Sequence, residues 1–269
     1  MTDVAQIRSA AAKTRRWGWW YVAEMRLREM RGYISFVVTS SLGNPLMYLL
    51  GLGVGLANLV PNGIEGQPYL VYVGPALLMS TIIAIGAEEG MYPVLGGFKW
   101  QKTFHAIHAT AVSPGQLVAG FLVHIAIRLA FTAGIFYAML ITFGAVPLGT
   151  GWLMIPIAIL GAYSILTPLA AFSAGIQDDT GQFPLVQRLV VMPMFLFSGT
   201  FFPISQIPDW LEWIGWFSPL WHASQLGRVV AYGLVEPLWL VALRLGILVA
   251  YAATGAVFMR RAFVKRLTR

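Results

Sequence analysis

Apolar residues along the chain gather into long runs separated by short polar or proline-broken connections. A helix that crosses a bilayer needs such a run, because about 30 Å of hydrocarbon at about 1.5 Å rise per residue calls for roughly 20 residues. The pattern predicts helices over approximately Tyr33–Leu56, Tyr69–Glu88, Leu117–Phe143, Trp152–Ile176, Leu185–Phe202 and Pro237–Met259; five meet that length and the sixth nearly does. Ahead of them, Trp20, Ala23, Leu27, Met30 and Ile34 recur at steps of three and four among Arg26, Arg28 and Arg31. This predicts an amphipathic helix in the cytoplasmic interface, anchored by Trp17, Trp19, Trp20 and Tyr21, with a plain extension of the first span as the alternative. Between the last two runs, Ser198–Arg228 is broken by Pro203, Pro208 and Pro219 and crowded with Trp210, Trp213, Trp216 and Trp221. It is too apolar for a free loop and too broken for a span. It predicts a re-entrant helical hairpin over about 203–228 that dips into the outer leaflet and caps a path; an amphipathic helix resting on the outer surface is the alternative.

Composition supports the membrane reading. Hydrophobic residues make up 58% of the chain against 11% charged, more apolar surface than a soluble core of this length hides. Met1–Arg16 is polar, small and basic, unlike a secretory signal, so the N-terminus is expected to stay cytoplasmic. The absence of cysteine excludes disulfides, thiolate metal sites and thiol catalysis. The net charge of +7 sits mainly in the head and tail, the footprint of topology and anionic lipid rather than of nucleic-acid recognition. If the helices alternate, Arg8, Lys13, Arg15, Arg16, Arg26, Arg28, Arg31, Lys99, Lys102, Arg188, Arg260, Arg261, Lys265, Arg266 and Arg269 share one side. The other side has only Arg228, with Glu65, Asp209, Glu212 and Glu236. Cytoplasmic loops keep positive charge, so the expectation is an all-α membrane protein with six transmembrane helices and both termini cytoplasmic. Its parts are a head over 1–32, a six-helix domain over 33–269 and a basic tail over 260–269.

Two long stretches carry a family resemblance. GAEEGMYPVLGGFKWQKTFHAIHATAVSPGQLVAG, from Gly86 to Gly120, and FLFSGTFFPISQIPDWLEWIGWFSPLWHASQLGR, from Phe195 to Arg228, resemble the ABC-2 type (type-2 ABC exporter) permeases, in particular their nodulation-factor and antibiotic-resistance branch. The chain departs from many such proteins at Thr110–Pro114, where the proline does not directly follow the threonine, and this bears on the shape of that turn. The resemblance implies a half-transporter in the bacterial inner membrane. Two permease subunits, identical or different, pair, and each rests on one of two ATP-binding subunits through a coupling helix. That helix maps around Lys99–Ala109, within a loop over about 92–116. The residues agree, since Phe98, Trp100, Phe104 and Ile107 are apolar knobs among Lys99, Lys102, His105 and His108, as docking requires. No Gly-x-x-x-x-Gly-Lys-Ser/Thr loop occurs, so this chain holds no nucleotide of its own and ATP with magnesium belongs to the partner. The implied cargo is an amphiphile such as a drug, a glycolipid or a lipid-linked glycan.

Ionisable residues within apolar runs are costly and default to functional candidates. Arg128 is expected near mid-span, facing the bundle; Arg244 is expected either to snorkel or to pair with Glu236. Arg128, with Phe201, Phe202, Trp213 and Trp216, makes up the candidate path or gate. Glu88 and Glu89 are expected to close the second span at the cytoplasmic face, either solvated or bridged to Arg26 or Arg28, and so join the coupling residues. His105 and His108 lack a third ligand for a metal. Asp178-Asp179 faintly resembles a magnesium–pyrophosphate pair but reads better as a turn with capping carboxylates. Gly51, Gly53 and Gly55 permit close helix approach, within one subunit or at a subunit seam. Two other functions compete: an intramembrane transferase acting on a lipid-linked substrate, and a secondary transporter.

Overall fold

The computed structural model describes residues 4–55 and 60–268, and apart from one isolated bridge between Ile64 and Gln67 the regular elements among them are helical. Along the chain run α1 (Val4–Arg31), α2 (Ile34–Tyr48, continued by a wider π-helical stretch Leu49–Gly55), α3 (Tyr69–Glu89), α4 (Tyr92–Phe98) and α5 (Thr103–His108). They are followed by α6 (Pro114–Thr142), α7 (Met154–Gly175), α8 (Gln182–Val186), α9 (Met192–Phe197), α10 (Asp209–Phe217), α11 (Pro219–Tyr232) and α12 (Leu238–Leu267).

Five stretches among the described residues are long and apolar enough to cross a membrane: Ile34–Gly51, Tyr69–Phe98, Pro114–Thr142, Thr150–Gly175 and Leu238–Leu267. They overlie five of the six expected runs, although the expected end of the first, Leu56, lies outside the described residues. The fifth expected run is shorter than its composition suggests. Helix forms only over Gln182–Phe197, joining α8 and α9 through a π-helical stretch Gln187–Val191. The chain leaves the helix at Ser198 because Gly199 adopts a left-handed φ of 66°, open to glycine at little cost.

α3 forms the centre of the bundle, with Val73, Ala76, Leu77, Leu78, Met79, Ile82 and Ile83 fully buried. Around it pack α6, α7 and α11, and α12 lies along α7. α6 opens on a capping box: Ser113 Oγ accepts from the Gln116 amide at 3.3 Å while Gln116 Oε1 accepts from the Ser113 amide at 3.0 Å. Pro114 takes the first helical position, where its missing N–H costs nothing. This is how the departure at Thr110–Pro114 is accommodated.

α1 is docked on protein. Gln116 Nε2 donates to the Arg15 carbonyl at 2.7 Å, and α1 then runs along the first turns of α6. Its approach needs Gly120, since a Cβ there would lie 2.4 Å from the Trp19 carbonyl oxygen. Ala23 and Met30 of the expected apolar face are buried, but Trp20 and Ile34 are exposed. Of the small residues flagged near the end of α2, Gly51 and Gly55 are not sites of close approach to another helix, as a Cβ on Gly51 meets nothing within 4 Å and one on Gly55 meets only the Leu50 carbonyl oxygen at 3.5 Å; the surroundings of Gly53 lie outside what the structure describes.

The tight contact lies instead between α7 and α12. A Cβ at Gly255 would fall 2.2 Å from Thr167 Oγ1 and 2.6 Å from Pro168 Cδ, and Thr167 Oγ1 also donates to the Ala252 carbonyl at 3.1 Å. Where lipid removes any hydrophobic drive between helices, such contact is what joins them. Gly255→Val is therefore expected to lower the melting temperature in detergent, with overpacking costing ~1–3 kcal/mol. Gly246→Val, where a Cβ meets nothing within 4 Å, is the matched control and should melt like the parent.

Candidate functional site

The connection between α3 and α6 is built around an aromatic knot. α4 ends at Phe98, the chain turns through Lys99–Lys102 with Lys102 in the left-handed region at φ 53°, and α5 doubles back. Phe98 and Phe104 meet edge to face at 4.8 Å between ring centroids, and Phe263 of α12 lies 4.9 Å from Phe98 and 5.3 Å from Phe104. Two cations close the knot. Arg26 of α1 sits 5.2 Å over Phe104, and Arg266 of α12 sits 4.5 Å over Phe98 while donating to the carbonyls of Ser173, Ala174 and Ile176 at the end of α7.

This divides the expected docking residues into two sets. Phe98, Phe104 and Ile107 are buried and hold the loop in shape, so the expectation that they are knobs for a partner is corrected. Trp100, 59% exposed, stands outward with Lys99, Lys102 and His105, and His108 is half-buried. A six-residue helix pressed against the bundle can offer only one face, and the larger rings take the inner one.

The outer face has neighbours that the sequence reading passed over. Tyr92 stacks on Trp100 at 6.3 Å and donates its hydroxyl to Asp179 at 2.9 Å, while Lys99 forms an ion pair with Asp178. Asp178 and Asp179 thus form the expected turn: Asp179 Oδ1 accepts from the Gly181 amide at 3.0 Å and the Phe183 amide at 3.4 Å at the start of α8. Desolvation is the largest single influence on the Asp179 carboxyl and pushes it up, but the Tyr92 hydroxyl and the amides of Gly181, Phe183 and Gln182 together outweigh it and hold the carboxyl below its usual range. The connections before α5 and before α8 are clasped together.

Glu88 and Glu89 are the last two residues of α3, but they face different ways. The apolar column runs on through α4 to Phe98, and Glu89 is turned into the interior. It is 8% exposed and forms an ion pair with Arg128 of α6. The alternative bridges to α1 are absent: Arg26 pairs with Glu29 at 3.2 Å and Arg28 with Glu24 at 2.5 Å. Glu88 is exposed and, with Glu89, Tyr92, Pro93, Pro184 and Gln187, borders a cavity of about 570 Å³.

At the opposite end, Phe201 and Phe202 are half-buried in the turn after α9, with Phe201 5.1 Å from Phe195. Trp213 and Trp216 project from α10, and Trp213 borders an apolar cavity of about 510 Å³ between α7, α9, α10 and α12. α11 is buried against α3 and α7, and it carries Arg228, fully buried. Arg244 resolves to pairing: it binds Glu236 with two bonds of 2.9 and 2.7 Å and lies 4.2 Å over Trp221. Among the described residues, no group of three or more His, Cys, Asp or Glu is placed to hold a metal.

The structure is an all-helical, multi-span membrane bundle with a clasped connection at one end, and residues 21–232 match the ABC-2 type transporter family, to which the chain belongs. It is a membrane permease subunit of that family. It is 27% identical over 252 residues to Nodulation protein J of Rhizobium meliloti (strain 1021), covering 93% of this chain and 94% of that protein. It is 28% identical over 242 residues to Nodulation protein J of Rhizobium leguminosarum bv. viciae, covering 86% and 88%. With the protein of that name from R. leguminosarum bv. trifolii it is 30% identical over 216 residues, covering 76% and 79%.

Proposed function

We propose that this chain is half of the membrane part of an exporter that moves an amphiphile outward across the bacterial inner membrane, driven by two copies of a separate ATP-binding subunit. The second half is another permease, and an identical copy is the simplest case. In this reading the short helix Gln182–Phe197 is a sixth crossing, α1 lies at the cytoplasmic interface, α10 and α11 form the external hairpin, and both termini are cytoplasmic.

The observation that carries the reading is the two-sided build of the α4–α5 connection. Its rings face inward, whereas Lys99, Trp100, Lys102 and His105 face outward. An exposed tryptophan beside cations, on a rigid base, is the composition of an interface anchor. Its base is joined to α1 by Arg26, to α12 by Phe263, and to the α7–α8 connection by Asp178 and Asp179. A force applied at Trp100 is therefore delivered to several helices at once, and nucleotide-driven closure of the partners rocks the two bundles. A partner drives such a change only by binding one state better than the other.

The test is gentle purification, identification of every companion polypeptide and an ATPase assay of the complex. Trp100→Ala is expected to leave the permease folded but weaken docking by about 2 kcal/mol, roughly thirtyfold, with a matching fall in stimulated ATPase at limiting partner. Full activity of the isolated chain, without nucleotide or companions, ends this reading.

A further inference from the structure

Arg228 is the one cation that charge counting leaves on the outer side, and the bundle buries it completely. No carboxylate oxygen lies within 4.0 Å of it among the described residues. Its Nη2 donates to the Gly199 carbonyl at 2.7 Å, its Nε to the Tyr72 carbonyl at 3.3 Å, and the guanidinium lies 3.9 Å over the Tyr72 ring. Its Nη1 meets no acceptor. A buried charge without a counter-ion costs several kcal/mol or more, so the site is expensive to maintain as built.

The surrounding hydroxyls have the same character. Thr200 follows Gly199, Ser224 and Tyr232 lie one turn before and after Arg228 on α11, and Tyr69 lies one turn before Tyr72 on α3. All four hydroxyl oxygens are buried with no hydrogen-bond partner among the described residues. Glu65, an acid whose charge reaches Tyr72 and Tyr232, is itself exposed. A guanidinium with a free nitrogen, carried on elements whose neighbouring hydroxyls are likewise unpaired, has the donor types of an anion receptor.

We infer that Arg228, with the hydroxyls of Thr200, Ser224, Tyr69 and Tyr232, receives an oxyanion: the phosphate, sulfate or carboxylate group of an amphiphile at the outer end of the bundle. This rests on the proposed export function only for the outward placement of the site. The bonds to Gly199 and Tyr72 join the turn after α9, α11 and α3, so an anion taken by Nη1 acts on the junction that carries the external helices.

The test uses the full chain in neutral detergent, without nucleotide or ATP-binding subunit, and measures calorimetric affinity for octyl phosphate, with octyl trimethylammonium as the cation of equal length. Octyl phosphate is expected to bind and the ammonium not. Tyr232→Phe and Ser224→Ala are each expected to weaken octyl phosphate about tenfold or more, the effect of one bond to a charged group. Those hydroxyls have no hydrogen-bond partner among the described residues, so melting temperatures should not fall, which separates ligand contact from a structural role. Binding to lipid-free protein identifies a cargo group as the source. A stoichiometric phospholipid that co-purifies with the parent but not with Tyr232→Phe identifies a lipid headgroup. Equal affinity for phosphate and ammonium, or silent hydroxyl deletions even where Arg228→Gln unfolds the protein, leaves a purely structural arginine and overturns the inference. Because no partner subunit is present, either result leaves the docking assignment to its own test.

Discussion

Glu89→Ala is expected to lose ~3–5 kcal/mol of stability, because it removes the buried ion-pair partner of Arg128 and leaves only the more exposed Glu88 to offset that charge. The side chains of the pair are only 17% and 11% exposed, Arg128 and Glu89 respectively, so water cannot substitute for the missing partner. Arg128→Ala should do comparable damage from the other side. Replacing both by methionine removes the charge and its desolvation together, and should restore most of the loss. Thermal survival of the monodisperse peak in detergent, for the two single variants and the double, reads the coupling directly. Additive damage in the double variant would show that the two residues act independently.

Phe104→Ala is expected to cost a similar amount, about 3–5 kcal/mol, through the lost transfer energy of the ring and the cavity left between Phe98, Phe121 and Phe263. The effect should appear as a lower melting temperature of the permease by itself, before any partner is added. Trp100→Ala should show the reverse pattern, with an unchanged melting temperature and weakened docking. A Phe104→Ala permease that melts like the parent would return that ring to the outer face. The two variants, one turn of chain apart, thereby divide the loop into the part that shapes it and the part available to another protein.

How far the sequence could be read follows from what each signal encodes. Run length reports the cost of exposing backbone to hydrocarbon, so the long columns were legible at Tyr69, Leu117, Trp152 and Pro237 to within a few residues. Gln182–Phe197 was overestimated because apolar character continues through Phe201 and Phe202, whereas the helix ends where Gly199 turns. The loop around α5 was recognisable from its motif. Its facing was not, because Phe98, Trp100 and Phe104 are equally apolar and only the position of Phe263, some 160 positions onward, decides which are covered. The inward turn of Glu89, the last residue of α3, is not legible for the same reason: the counter-ion that lets it enter the interior, Arg128, lies on α6. Arg228 was counted as a mark of topology. Its burial depends on three elements that meet only in the folded bundle, although an arginine within an apolar, tryptophan-rich stretch was a signal that could have singled it out.

One further consequence comes from the helix Gln182–Phe197. At about 1.5 Å per residue it reaches ~24 Å, against ~30 Å for an average hydrocarbon slab. In the six-crossing arrangement, acyl chains beside it must shorten or splay to meet its ends, a deformation that costs fractions of a kcal/mol per ångström. If this helix is the proposed sixth crossing, the bilayer would be pinched along this flank, next to the apolar cavity that Leu189, Val190 and Met194 border. A cargo tail passing there would then have less oil to cross than beside the longer helices.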